Sequence, residues 1–226
     1  MSKVGCRIRT DFERPSRELI EKFKDIPVAN LDDCMNRISA IDENIRPINN
    51  SKILGPAFTI KVPEGDNLMF HKAMDIAKPG DIIVIDAGGT TKRAIFGELM
   101  VNYCMIRGIG GIIVDGSLRD VDFISKLVDF PVYAKGITPN GPYKNGPGEI
   151  NTDVVVGGQV VSPGDIVIGD GDGVLFIKPY EAEEILERVQ KVQQIEAEIM
   201  DKIKNDKTYI RPWMDKKLEE IACDYI

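Results

Sequence analysis

The stretch from Asp81 to Asp120, DIIVIDAGGTTKRAIFGELMVNYCMIRGIGGIIVDGSLRD, constrains the fold of this chain more than any other part. An apolar run, Ile82-Ile83-Val84-Ile85, is closed by Asp86 and by Gly88-Gly89. A helix is predicted to begin near Phe96-Gly97, to place Leu99, Tyr103 and Ile106 at i, i+4 and i+7, and to stop at Gly108. A second apolar run, Ile112-Ile113-Val114, ends in Asp115-Gly116, and Arg119-Asp120 follow. Strands that are apolar without alternation have both faces covered, so the stretch reads as a βαβ unit of an α/β fold.

That order gathers three kinds of chemistry at one sheet edge. A helix N-terminus presents free backbone N–H groups, which suit a carboxylate or phosphate. Arg119 offers a planar fork of donors for the same sort of anion. Asp120 offers hard oxygen to a divalent cation.

The other segments frame this unit. Residues 14–26 read as a helix entered through Pro15 and Ser16, and Asn30-Leu31-Asp32-Asp33 open a second short helix whose first-turn acids complement its dipole. Residues 53–62 form a strand, and Asp66 is placed to cap a helix that buries Leu68, Met69, Ala73 and Ile76. His71 falls between those positions and reads as a surface side chain without a catalytic role. Lys78 to Asp86 (KPGDIIVID) is echoed by Ser162 to Asp170 (SPGDIVIGD), two Pro-Gly turns feeding strands expected to enter the fold from the same side. Between them, residues 133–151 are rich in glycine and proline, as in a long ordered loop or lid. Val154 to Val161 make a hairpin around Gly157-Gly158, and Asp170-Gly-Asp-Gly173 reads as a hairpin turn because it lacks the later ligands of a calcium loop. Residues 181–204 are an amphipathic helix with Ile185, Val189, Val192, Ile199 and Ile203 on its stripe. Glu196 interrupts that stripe, either at the edge of a subunit contact or as a carboxylate delivered into a site. Trp213 and the residues to Ile226 form a C-terminal arm suited to docking on a partner.

Composition excludes several function classes. A net charge of −7 argues against nucleic-acid binding, which needs a basic face. The single histidine rules out multi-histidine metal sites, and the four cysteines form no CxxC pair, as expected of reduced thiols in a cytoplasmic protein. No apolar run reaches the roughly 18 residues of a membrane span. Asp86-Ala-Gly-Gly-Thr90 is similar to a sugar-kinase phosphate loop, but in the wrong place along the chain. Lys61 and Lys92, the Schiff-base candidates, sit where lysine is ordinarily a solvated charge.

Taken together, Gly55-Pro-Ala-Phe-Thr59, Gly65-Asp-Asn-Leu-Met69, Gly97-Glu-Leu-Met100, Asp115-Gly-Ser-Leu-Arg-Asp120 and Pro163-Gly-Asp165 through Asp170-Gly-Asp-Gly173 resemble the RraA-like family. That family contains 4-hydroxy-4-methyl-2-oxoglutarate aldolases and the RraA inhibitors of ribonuclease E. The resemblance implies an α/β fold: one domain spanning residues 1–226, with a β/β/α core of the swivelling-domain type at about 28–180. A helix at 14–26 and a C-terminal helix and arm at 181–226 would flank it. It also implies a homotrimer or hexamer with sites between subunits.

By that resemblance Asp120 holds Mg2+ or Mn2+, and Arg119 contacts a small 2-oxo acid and stabilises its enolate. Gly97, Leu99 and Met100 bind the pyruvyl carboxylate, with Glu98 as the acid beside them. Asp33 and, more loosely, Glu196 reach the site from a neighbouring subunit. The chain departs from the family in having Val121-Asp122-Phe123 where a glycine often follows Arg-Asp. The implied activity is cleavage of a 4-hydroxy-2-oxo acid to pyruvate and an oxo acid, with oxaloacetate decarboxylation through the same enolate. Two alternatives stand beside it: a non-catalytic regulator binding a ribonuclease or helicase, and a sugar-acid enzyme on the same scaffold. The regulators lack the metal-binding aspartate that this chain has at Asp120.

Overall fold

The computed structural model describes residues 3–225, in two compact units that divide between Leu186 and Glu187. The first unit opens with β1 (Cys6–Ile8), α1 (Arg17–Glu21), α2 (Val28–Cys34) and β2 (Arg46–Pro47). Next come β3 (Ile53–Lys61), α3 (Leu68–Ile76), β4 (Ile82–Asp86), β5 (Ala94–Phe96), α4 (Glu98–Ile106) and β6 (Gly111–Leu118). It continues through α5 (Val121–Ile124), β7 (Val132–Ile137), β8 (Gly148–Ile150) and the hairpin β9 (Val154–Val156) and β10 (Gln159–Val161). The strands β11 (Ile166–Gly169) and β12 (Val174–Ile177) precede α6 (Ala182–Asp201), which crosses into the second unit. There a π-helical turn at Lys202–Asp206 and α7 (Pro212–Glu220) follow.

The main sheet has the order β1-β8-β3-β4-β6-β7-β2, with β3, β4, β6 and β7 parallel. The apolar runs of its central strands, Ile82 to Ile85 and Ile112 to Val114, are fully buried because both faces are covered. Ile83, Ile85, Ile112 and Val114 meet the helical layer, where α3 supplies Phe70 and Ala73 and α4 supplies Val101 and Cys104. Ile82, Val84 and Ile113 face a second layer built from Val154 and Val156 of the hairpin with Val167, Val174 and Phe176. The result is the β/β/α layering that the resemblance implied. Among the described residues no helix is long and apolar enough to cross a membrane.

Several local expectations are corrected. The helix α4 runs as expected, yet Leu99 and Ile106 are 84% and 83% exposed, and Val101 and Cys104 point inward. The helix is apolar on more than one side, so periodicity alone could not choose its face. Burial pushes the Cys104 thiol up to about 12. In α2, Asp32 and Asp33 lie in the last turn, because the helix starts at Val28, whose N–H is capped by Asp170 Oδ2 at 3.0 Å. Only Arg17–Glu21 of residues 14–26 is helical, with Ser16 Oγ accepting from Leu19 N at 3.1 Å. The strand β6 carries Asp115 and Gly116 within it.

The two echoed segments do not enter from one side. β4 starts opposite Ala57 and runs parallel to β3, whereas β11 starts opposite Pro56 and runs antiparallel. Their turns are nonetheless built alike: Asp81 Oδ2 accepts from Lys78 N at 2.8 Å, and Asp165 Oδ2 from Ser162 N at 2.7 Å. Of residues 133–151, only 138–147 and Asn151 remain outside strands, and the 138–147 loop is tied down. Asp66, 3% exposed, caps Leu68 N with Oδ1 and accepts from Asn145 N and Gly146 N with Oδ2. The tight hairpin forms as expected, with Gly157 and Gly158 both at positive φ.

Candidate active site

β6 delivers Arg119 and Asp120 to the N-terminal end of α4. Arg119 N donates to Phe96 O, and Thr138 N to Leu118 O, both at 3.0 Å, so β5 and the segment after β7 fix the strand end from two sides. Asp120 then takes a left-handed conformation, φ 61° and ψ 38°, uncommon for a residue with a side chain. That turn aims its carboxylate at α4, where Oδ2 accepts from Glu98 N at 2.9 Å and lies 3.7 Å from Arg119 Nε. The approach requires glycine at 97: a Cβ there would stand 2.2 Å from Asp120 Oδ2 and 2.9 Å from Arg119 Cγ.

Two clefts, of about 310 and 590 Å³, share Glu98, Arg119 and Asp120 in their walls. The first is completed by Asn67, the N-cap of α3, with His71 of that helix, Gly97, Met100, Pro142 and Lys144. The second is bounded by α5 and by Ile137, Thr138 and Pro139. The structure thus brings together Gly97, Glu98, Leu99, Met100, Arg119 and Asp120. Asp33 is elsewhere on the same unit, exposed and ion-paired with Arg37 Nε. Glu196 is an exposed residue of α6 in the second unit.

Sequence reasoning missed three residues of the first cleft: Asn67, His71 and Lys144. His71 is part-buried, and its Nε2 is enclosed without a hydrogen-bond partner, so it is not the plain surface side chain expected. Burial, then the charge of Lys144, holds its imidazole below the ordinary histidine range, with Asp75 acting in the opposite direction. The available signal was the i, i+4 spacing of Asn67 and His71, which sets them on one helical face. The candidate lysines are surface charges: Lys61 lies 4.0 Å from Asp86 and Lys92 3.5 Å from Glu64.

The donor set fits a magnesium-like ion. Both contacts to the Asp120 carboxylate fall on Oδ2, which leaves Oδ1 facing no protein donor among the described residues, on a side chain 42% exposed to the clefts. Among those residues no three histidines, cysteines or acids converge to hold a metal. Mg2+ keeps several waters and accepts one or two carboxylates, so a site resting on Asp120, with Glu98 beside it, suits it better than zinc.

A family model described as RraA-like, Aldolase/RraA, matches residues 28–176. A protein of Halalkalibacterium halodurans named "Putative 4-hydroxy-4-methyl-2-oxoglutarate aldolase" is 36% identical over 202 residues, covering 89% of this chain and 96% of that protein. The crystal structure of Streptomyces coelicolor RraAS2, described as an unusual member of the RNase ES inhibitor RraA family, is similar with a TM-score of 0.72. Its identity is 25%, over 81% of this chain and 97% of that one. A Pseudomonas syringae protein of uncharacterised function shares the fold, with a TM-score of 0.75 and 21% identity over 88% of this chain and 98% of that chain.

Proposed function

Given that the chain belongs to the RraA-like family, we propose that it is a divalent-cation-dependent carbon–carbon lyase. Its substrate would be a 4-hydroxy-2-oxo acid of the 4-hydroxy-4-methyl-2-oxoglutarate type, cleaved to pyruvate and an oxo acid. Oxaloacetate decarboxylation would follow from the same chemistry. The observation that carries this reading is the Asp120 carboxylate beside the Arg119 guanidinium at the first turn of α4, in a wall common to two clefts.

Asp120 and Glu98 would hold Mg2+ or Mn2+, which when bound supplies Lewis-acid polarisation of the substrate's keto oxygen. The protein's own contribution is positional. The first-turn amides of a helix have no intrahelical acceptor. The Glu98 amide is taken by Asp120, so the amides of Leu99 and Met100 are the ones left for the pyruvyl carboxylate. Arg119 places its donors where negative charge collects as the C3–C4 bond parts, and so stabilises the transition state more than the substrate. Gly97 acts by its lack of a side chain, which lets the carboxylate approach. A homotrimer or hexamer with Asp33 and Glu196 delivered from neighbours belongs to the same proposal, and the exposed Leu99 and Ile106 give α4 an apolar outer surface for such a contact.

Calorimetric titration with pyruvate tests the reading. Binding that requires Mg2+ and disappears in Asp120→Asn supports it. Binding of equal strength without the cation counts against it.

A further inference from the structure

Asn67, the N-cap of α3, and His71, one turn further on, line the first cleft, and each carries a buried polar atom that has no partner among the described residues. Asn67 is 2% exposed; its Nδ2 donates to Ile95 O at 2.8 Å and to Met100 Sδ at 3.5 Å, while its Oδ1 meets no donor. His71 Nε2 is enclosed in the same way. The backbone joins the two directly, His71 N donating to Asn67 O at 3.1 Å, and both residues share the cleft with Arg119 and Asp120. A buried polar group without a partner forfeits the hydrogen bonds it would make in water. Two beside one cleft are most simply satisfied by a ligand.

The chemistry of the cleft narrows that ligand. Arg119 and Lys144 are cations and suit carboxylates. Asn67 Oδ1 only accepts, and His71 Nε2 accepts in the tautomer protonated at Nδ1. Acceptors beside cations fit an acid that also carries a hydroxyl. With the cleft working as a carbon–carbon lyase, as proposed above, we propose that His71 takes the proton of the substrate's 4-hydroxyl and that Asn67 holds this end of the molecule. As the C3–C4 bond breaks, the hydroxyl proton passes to His71 Nε2 and C4 becomes a carbonyl. The bonding pair goes to the pyruvate enolate, which then takes a proton from water at C3. The imidazolium returns its proton to solvent, so nothing is oxidised or reduced.

The surroundings favour a neutral ring that can act as a base. Lys144 from the 138–147 loop faces His71, Asp75 faces it from its own helix, and Glu98, Arg119 and Asp120 are the other charged groups of the cleft. General-base catalysis by a positioned imidazole is worth about 10²–10⁴ in rate.

Decarboxylation of oxaloacetate has no hydroxyl to deprotonate, which makes it an internal reference. In His71→Gln with Mg2+, the ratio of 4-hydroxy-4-methyl-2-oxoglutarate cleavage to oxaloacetate decarboxylation should fall about 100-fold, and the acidic limb of the cleavage pH profile should disappear. The chain has one histidine, so its imidazole NMR resonance needs no assignment, and its titration in the wild type should coincide with that limb. A parallel loss of both activities, an unchanged ratio, or a wild type that decarboxylates but cleaves no hydroxy acid overturns the role of His71 and leaves the lyase reading standing. A wild type with neither activity overturns both.

Discussion

Asp120 Oδ2 accepts a hydrogen bond from the Glu98 amide at 2.9 Å, across a gap that exists because residue 97 has no side chain. One carboxylate therefore caps α4 and faces both clefts. Gly97→Ala should separate these effects from the rest of the fold. Its φ of −156° is ordinary extended backbone, so alanine meets no conformational penalty there, only the clash with Asp120. Cation-dependent turnover should drop about 10²–10³-fold, the scale of losing one transition-state donor, while far-UV circular dichroism stays the same. Unaltered turnover would mean that the carboxylate can work from another position.

Asp120→Asn and Asp120→Ala should part company in stability. Asparagine keeps an acceptor for the Glu98 amide and tolerates left-handed backbone, so it should lose activity at little cost to the fold. Alanine should lose activity and in addition about 1–2 kcal/mol from the missing cap and the φ of 61°. Equal urea midpoints for the two variants would show that capping contributes nothing here.

Arg14 holds the N-terminal segment to the turn before β4. Its Nε and Nη2 each reach an oxygen of Asp81 at 2.7 Å, and the Asp81 side chain is 1% exposed. Arg14→Ala leaves that buried carboxylate with the Lys78 amide but no countercharge, so thermal or urea unfolding should register a loss of about 3–5 kcal/mol. A change below about 1 kcal/mol would contradict the view that this pair secures the segment.

Asp42 supplies a pH signature. The hydrogen bond from Lys135 Nζ at 2.7 Å, with help from Asn44, holds its carboxyl down to about 2. A depressed acid contributes stability that is full above its unfolded pKa, about 3.9, and is lost as pH falls through the folded value. Asp42→Asn should therefore be less stable than the wild type at neutral pH, and the gap should narrow from about pH 4 downward and close near pH 2. Urea midpoints measured across that range decide it; a constant gap would rule out titration of Asp42 as its source.

The sequence made β4, the glycine loop, α4, β6 and the Arg119–Asp120 pair legible because two uninterrupted apolar runs admit little else than buried parallel strands. The inner face of α4 was hidden, since Leu99, Tyr103 and Ile106 are as apolar as Val101 and Cys104, and packing against β6 made the choice. β5 has three residues and owes its form to its register with β6, a non-local cause. The enclosure of His71 is not legible locally, because its surroundings come from residues 138–147, a loop drawn over α3 by backbone bonds to Asp66 from far along the chain.

Pyruvate release from oxaloacetate, followed in wild type and Asp120→Asn with Mg2+ and again with excess EDTA, puts the central claim at most direct risk. The expected result is release by the wild type with Mg2+, and a fall of at least about 100-fold both on chelation and in the variant. Release that continues at the same rate in EDTA, or in Asp120→Asn, would contradict a cation held by Asp120 as the seat of the chemistry.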